Sequence, residues 1–305
     1  MNGEFLNKYI KEIKSKTENN SQFSNITLDQ LSSEIILRYF NRKYPNMNAC
    51  NTIIDIDDFV KYEFNSLTIF PPNSHKRYII KTTSGGQGVH FATANVFKDK
   101  ENNTSIIFVD SSLGENPFIP FKWKINRDKS KNENENEKKL KILYIYSQIQ
   151  YSPGDCLLFG LHFLKKMHKH AQYFRQIHQD IFNDEIHFNN EDNKDFTPKT
   201  NKLPDDECEK YRTVFFNQAI NLLPIDFFKH AQSIKPINAY LARHPDETNK
   251  KVNKWQGGET LKDRYQRHTV TRTINGIERT YSNSIEEKRL SLAEAALRWL
   301  DEHGE

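Results

Sequence analysis

Cys156 opens an apolar helical run in the stretch QYSPGDCLLF, directly after a Pro-Gly-Asp turn and six residues beyond Gln150. The place suits a nucleophile. A helix N-terminus carries partial positive charge and free N–H groups, and both stabilise a thiolate. Gln150 can bring an amide N–H to the same point and hold an oxyanion. Asp155, beside the thiol, is read as a cap for the helix. A histidine and an acid lie upstream. His90 opens the strand HFATANVF, and TSIIFVD returns after the turn KDKENN to end on Asp110. In a hairpin turning near residue 100, His90 and Asp110 become cross-strand neighbours on one face, with Cβ atoms roughly 5 Å apart. A carboxylate there orients the imidazole and makes it a better base. A slip of one residue would put the two on opposite faces. Taken singly, a cysteine on an apolar helix is a small buried hydrophobe, and a histidine at a strand start has no special duty. The order and spacing of the four residues carry the reading.

Several elements must position these groups. YIIK at 78–81 reads as a short strand, followed by the turn-rich TTSGGQG, which leads into a strand and so does not fit a Walker-type phosphate loop. LKILYIYSQI at 140–149 is a strong strand. The Cys156 helix shows Leu157, Leu161, Leu164, Met167, Ala171 and Phe174 along one face. Thr27 and Gln30 form a capping-box pattern before Leu31, Ile35, Ile36 and Tyr39. A further helix is expected at about 55–65, and the last at Ser284–His303. The fold class is α+β, a small mixed or antiparallel central sheet flanked by helices. Residues 1–26 are polar and are expected to be flexible, with at most a short helix at Phe5–Ile13. The main domain spans 27–250, with polar inserts near 126–139 and 183–210. Residues 251–305 form a C-terminal segment packed on that core.

The 305 residues carry a net charge of +4, which is too mild to argue for nucleic acid. The cysteines Cys50, Cys156 and Cys208 are widely spaced, so neither a disulfide framework nor a thiolate zinc site is indicated. The histidines His162, His168, His170 and His178 lack i,i+4 spacing, and no metal is expected. No apolar stretch is long enough to span a bilayer, and the first residues show no Sec-type apolar core.

The order His–acid–Gln-x5-Cys resembles the clan of adenovirus and ubiquitin-like-protein cysteine proteases. The wider match is to the YopJ family of type III effector acetyltransferases, through NRKYPNMN (41–48), GVHFATANVFK (88–98), IIFVDSS (106–112), QYSPGDCLLFGLHF (150–163) and LPIDFFKHAQSIKPINAYLARHP (223–245). The resemblance spans about residues 30–300. It implies a cysteine-protease-like core with His90 as catalytic histidine, Cys156 as nucleophile and Gln150 at the oxyanion position. Asp110 stands where members usually carry Glu. Lys235 falls on a lysine discussed as an autoacetylation position. The implied activity is transfer of acetyl from acetyl-CoA, through an acyl-cysteine, to Ser, Thr or Lys of host signalling proteins such as kinases. Inositol hexakisphosphate is the implied activator. The implied setting is delivery by a type III-like system into host cytosol, as a monomer, with 27–250 catalytic and 251–305 regulatory and cofactor-binding. Two departures stand out. Leu157 replaces a glycine beside the nucleophile, and Ile234-Lys235-Pro236 replaces a lysine pair.

Residues 250–290 hold ten Lys or Arg against five Asp or Glu. Most such residues form a solvated face. A pocket for a polyphosphate or for CoA phosphates needs several cations from distant segments. The candidates are Arg42, Lys43, Lys76, Arg77, Lys229, His230, Lys235 and Arg264. Two other readings fit the same triad: a cysteine protease or deconjugase of the clan, and a binder that has kept the fold without its chemistry.

Overall fold

Alternating side chains define a sheet with two buried faces. In the computed structural model, which describes residues 2–60, 71–83, 89–101, 103–111, 140–152, 154–183, 212–253, 257–274 and 276–304, six strands lie in chain order. They are β1 (Ile54–Asp55), β2 (Ser74–Thr83), β3 (Val89–Lys98), β4 (Thr104–Asp110), β5 (Leu140–Tyr146) and β6 (Arg212–Gln218). β2, β3 and β4 pair antiparallel, whereas β1–β2, β4–β5 and β5–β6 are parallel. The sheet is therefore mixed, and the α+β expectation holds. Ile79, Phe91, Ile107, Val109, Leu143 and Ile145 join the main core, while Tyr78, Ile80, Ala94, Ile106, Phe108 and Tyr144 join a second cluster with Phe59. The period of two sorts these sets between faces.

Helices cover the main-core face. α1 (Asn2–Glu18) and α2 (Ile26–Lys43) precede the sheet, with α3 (Ile56–Val60) after β1. α4 (Cys156–Lys169) and α5 (Ala171–Phe182) follow β5. After β6 come α6 (Ala219–Leu222), a 3-10 turn (Ile225–His230) and α7 (Ile234–Arg243). A second 3-10 turn (Pro245–Glu247), α8 (Leu261–Arg267), the hairpin β7 (Thr269–Ile274)–β8 (Ile277–Ser282) and α9 (Ser284–His303) complete the chain. α4 runs close to β2 and β3 at Gly160, whose carbonyl accepts a 3.1 Å bond from Thr93 Oγ1. A Cβ at Gly160 would lie 3.4 Å from that hydroxyl and 3.6 Å from Ile79, so a large side chain would push the Cys156 helix off the sheet.

Four expectations need correction. The start of the chain is a helix, α1, whose Leu6, Tyr9, Ile10 and Ile13 are buried against α9 and α2. Its apolar spacing (i, i+3, i+4, i+7) was overshadowed by the polar residues between. Asn25, not Thr27, caps α2, its side chain accepting from Leu28 N. The Cys156 helix is two helices broken at His170, where φ and ψ are −105° and 34°. The helix expected at 55–65 begins as a two-residue strand, and α3 is described only to Val60. The insert near 126–139 and, apart from Asn183, the one at 183–210 lie outside the described residues.

Candidate active site

The β3–β4 register decides whether the imidazole meets its acid. Thr93 faces Val109 and Lys98 faces Thr104, a slip of two residues from the expected hairpin. A two-residue slip keeps every side chain on its face, so His90 and Asp110 become diagonal rather than direct neighbours. A histidine is long enough to close that diagonal. His90 Nε2 lies 2.9 Å from both carboxylate oxygens of Asp110. Nδ1 is then the nitrogen left to face Cys156, whose thiol helps raise the imidazole. Burial alone would depress the imidazole, but the charge and hydrogen bond of Asp110, helped by Cys156, push His90 up to about 10. A protonated His90 between a carboxylate and a thiol is the arrangement that supports a thiolate–imidazolium pair.

Asp110 is wholly buried. Tyr144 OH donates to its Oδ2 at 2.5 Å, and Ser147 donates through N and Oγ to its carbonyl at 2.9 and 2.6 Å. Burial, reinforced by the Asp110 charge, raises Tyr144 and Tyr146 well above a tyrosine's usual range, so both phenols stay neutral donors. Tyr144 was missed in the sequence, where it read only as strand. The available signal was its parity: it stands opposite Phe108, two positions before the partner of Asp110.

The loop from Gln148 to Asp155 delivers the thiol. Gln148 takes φ of 49° and Gly154 φ of 86°, left-handed values that glycine tolerates best. Gln150 is fixed at both ends: its Oε1 accepts from Ser111 Oγ at 2.7 Å and its Nε2 donates to Ser152 O at 2.8 Å. One of its two amide hydrogens is thereby committed and the other is left. Cys156 itself is 4 % exposed. Leu157 is fully buried within the main core, so its bulk is directed into packing.

Asp155 does not cap α4 through its side chain. Its carboxylate is buried and accepts from Ser152 Oγ, from Gln232 Nε2 at 3.0 Å and from Arg289 at 2.7 Å. Arg289 also binds Asp29 through Nε at 3.1 Å, and Tyr9 OH donates to the same Asp29. These residues join α1, α2 and α9 to the loop that leads to Cys156. Burial works against the guanidinium charge, but the two carboxylates outweigh it and raise Arg289 further.

The candidate cations divide among separate places. Lys229, His230 and Arg264 line a cavity of about 330 Å³ together with Lys165, Lys166 and Lys288. Burial and mutual repulsion lower Lys229 to about 8 and Lys288 to about 7. Neither forms an ion pair among the described residues. Lys166 is different, since Asp226 pairs with it at 3.0 Å. His162 and His230 are pushed well below the usual range, first by burial and then by neighbouring cations. Arg42 and Lys43 instead line a groove of about 660 Å³ between α2 and α9. Lys235 lines a third cavity of about 510 Å³ with Gln148, Tyr151, Tyr265 and Thr280. Arg77 is not a surface cation: it is 1 % exposed and donates to the carbonyls of Met47 and Asn46. Lys76 lies over the Tyr78 ring. Sequence reasoning missed Lys288 as a lining residue, although its basic run was noted.

Comparison with known proteins adds independent findings. A family model described as YopJ serine/threonine acetyltransferase matches residues 6–295. The serine/threonine-protein acetyltransferase YopJ of Yersinia pestis is 25 % identical over 253 residues, covering 82 % of this chain and 75 % of the relative. YopJ of Yersinia pseudotuberculosis is 24 % identical over the same length and coverage. Two solved structures share the fold at 20 % identity. HopZ1a in complex with IP6 and CoA superposes with a TM-score of 0.71, covering 97 % of each chain. A deletion variant of AvrA with IP6 and CoA gives 0.69, covering 97 % of this chain and 99 % of that one.

Proposed function

The chain belongs to the YopJ serine/threonine acetyltransferase family, and from that premise we propose that it carries acetyl from acetyl-CoA on Cys156 to hydroxyl or amine groups of host proteins, with inositol hexakisphosphate as activator. The observation that carries the reading is the His90–Asp110 pair at 2.9 Å, with Cys156 close enough to the same imidazole to help raise it.

In the resting pair the proton of Cys156 sits on His90, and Asp110 with Tyr144 behind it holds the imidazolium in place. The Cys156 sulfur attacks the thioester carbonyl carbon. The remaining amide hydrogen of Gln150 and the free N–H groups of the first turn of α4 receive the negative oxygen. His90 returns its proton to the departing CoA sulfur, which leaves Cys156 as an acetyl thioester. An acceptor hydroxyl or amine then gives its proton to His90 as it attacks, and the acetyl group leaves the sulfur. One thioester replaces another in the first half, so the protein's task is positioning and exclusion of water.

The cavity around Lys235 and Tyr151 suits the CoA portion, because it borders the loop that carries Gln150. Arg279 stacks over the Tyr151 ring there at 5.6 Å and adds a cation for phosphate. The Lys229–Lys288 cavity suits a dense polyanion, since these two half-buried cations have no ion-pair partner among the described residues, although Lys166 and Arg264 beside them pair with Asp226 and Glu259. Delivery by a type III-like route into host cytosol, and kinases among the targets, follow from family membership.

The test is intact-mass analysis after incubation with acetyl-CoA, with and without inositol hexakisphosphate. The expected result is a single acetyl adduct that Cys156→Ala removes. No adduct under either condition, or cleavage of ubiquitin-like conjugates without CoA, would overturn the reading.

A further inference from the structure

The cation cavity and the nucleophile are joined twice by very short stretches of chain. Lys288 lines the cavity, and its neighbour Arg289 holds Asp155, the residue next to Cys156. His230 lines the cavity, and two residues on Gln232 holds the same carboxylate. Gln232 does more: its Oε1 accepts from Tyr151 N and Ser152 N at 2.6 and 2.8 Å, and its N–H donates to Ile149 O at 2.8 Å. It thus templates the loop that carries Gln150. A third tie closes the cavity wall. Ser284 Oγ lies 2.6 Å from His230 Nδ1 and accepts from Arg264 Nε at 3.2 Å, which binds the start of α9 to both.

From these contacts we infer that Asp155 is a positioning residue through which the state of the cation cavity reaches Cys156. The inference rests on the polyphosphate reading of that cavity. Four segments bring mutually repelling cations to it: α4, the 3-10 turn, α8 and α9. A bound polyanion removes the repulsion and draws them together. Any shift of α9 or of His230 is delivered to Asp155 by Arg289 and Gln232, because all three side chains are buried and both partners hydrogen bond to its carboxylate. Asp155 occupies the cap position of α4 yet gives its carboxylate to these two partners rather than to the helix. Its position therefore sets where α4 begins, and with it the sulfur, the first-turn N–H groups and the approach to Gln150.

The full chain is titrated with inositol hexakisphosphate while three quantities are read. They are the melting temperature, the affinity by calorimetry and the second-order rate of Cys156 alkylation by iodoacetamide. Peptide mass spectrometry separates Cys156 from Cys50 and Cys208. Saturating ligand changes the wild-type Cys156 rate by about tenfold, an ordinary allosteric coupling. Asp155→Asn and Arg289→Lys bind within about threefold of wild type, yet their rate response falls below about twofold. Lys288→Gln gives the converse, a weakened affinity with the full response at saturation. If Arg289→Lys does not fold, Asp155→Asn carries the test, since Arg289 keeps Asp29 as its counter-charge. Variants that fold, bind and respond fully overturn the coupling alone. Failure of wild-type protein to bind overturns the polyphosphate reading and the coupling together.

Discussion

Lys288 and Arg289 are adjacent on α9, yet they sit in opposite electrostatic worlds. Arg289 is enclosed by Asp29 and Asp155, and those carboxylates raise its hold on the proton. Lys288 is surrounded by Lys165, Lys229, Lys166 and Arg264 and, after burial itself, their repulsion helps lower it to about 7. A helix turns by about 100° per residue, so one step in sequence moves from the molecule's interior to a cavity wall. The difference separates a charge that completes the fold from a charge that the fold leaves uncompensated. His90 belongs with Arg289, since its carboxylate partner is supplied internally.

That contrast can be broken most forcefully at Arg289. Arg289→Met leaves two buried carboxylates without a counter-ion and is expected to cost about 3–5 kcal/mol in urea denaturation. A loss under about 1 kcal/mol would mean the network is not structural. Next in size is Asp110→Asn, expected to lower transfer by about 10²–10⁴-fold with little change in acetyl-CoA affinity. It should also move the alkaline limb of activity downward. In the wild-type chain that limb is expected where His90, raised to about 10, loses its proton. The folded value exceeds the unfolded one of 6.5, so the stability His90 provides is complete below 6.5 and is lost as pH rises through about 10.

Tyr144→Phe is a smaller step, about tenfold in rate, because one hydrogen bond to a charged carboxylate is removed while His90, Asp110 and Cys156 remain. A pH profile shifted the same way as in Asp110→Asn would confirm that Tyr144 works through Asp110. Smallest is Lys288→Met, which should stabilise the ligand-free protein by on the order of 1 kcal/mol near pH 7 after solvent screening. The sign follows from a folded value of about 7 below an unfolded value of 10.5. The wild-type chain regains stability as pH rises across that window, so the advantage of the variant should shrink towards pH 10. An advantage that is constant with pH would show that the charge is not its source.

Periodicity explains what the sequence made legible. The same-face placement of His90 and Asp110 survived a two-residue register slip because strands repeat every two residues. The helix starting at Cys156 was readable from the glycine turn and the leucine spacing, and Gly154 does take a left-handed φ. The break at His170 was not, since the apolar pattern runs on into α5 at Phe174. Asp155 and Arg289 are 134 residues apart, and no local pattern connects them. Surface charge has no period at all. Lys229, His230 and Arg264 share one cavity, but Arg77 looked equally eligible in the sequence and is buried in β2.

The claim that Lys229 and Lys288 await a polyanion is tested most directly by proton uptake. Calorimetric titration with inositol hexakisphosphate at about pH 8, in buffers of differing ionisation enthalpy, counts the protons taken up on binding. With Lys288 lowered to about 7 and Lys229 to about 8, a bound polyphosphate should draw protons onto both, and Lys288→Met should reduce the count. Binding with no net uptake, or uptake unchanged in Lys288→Met, would contradict it.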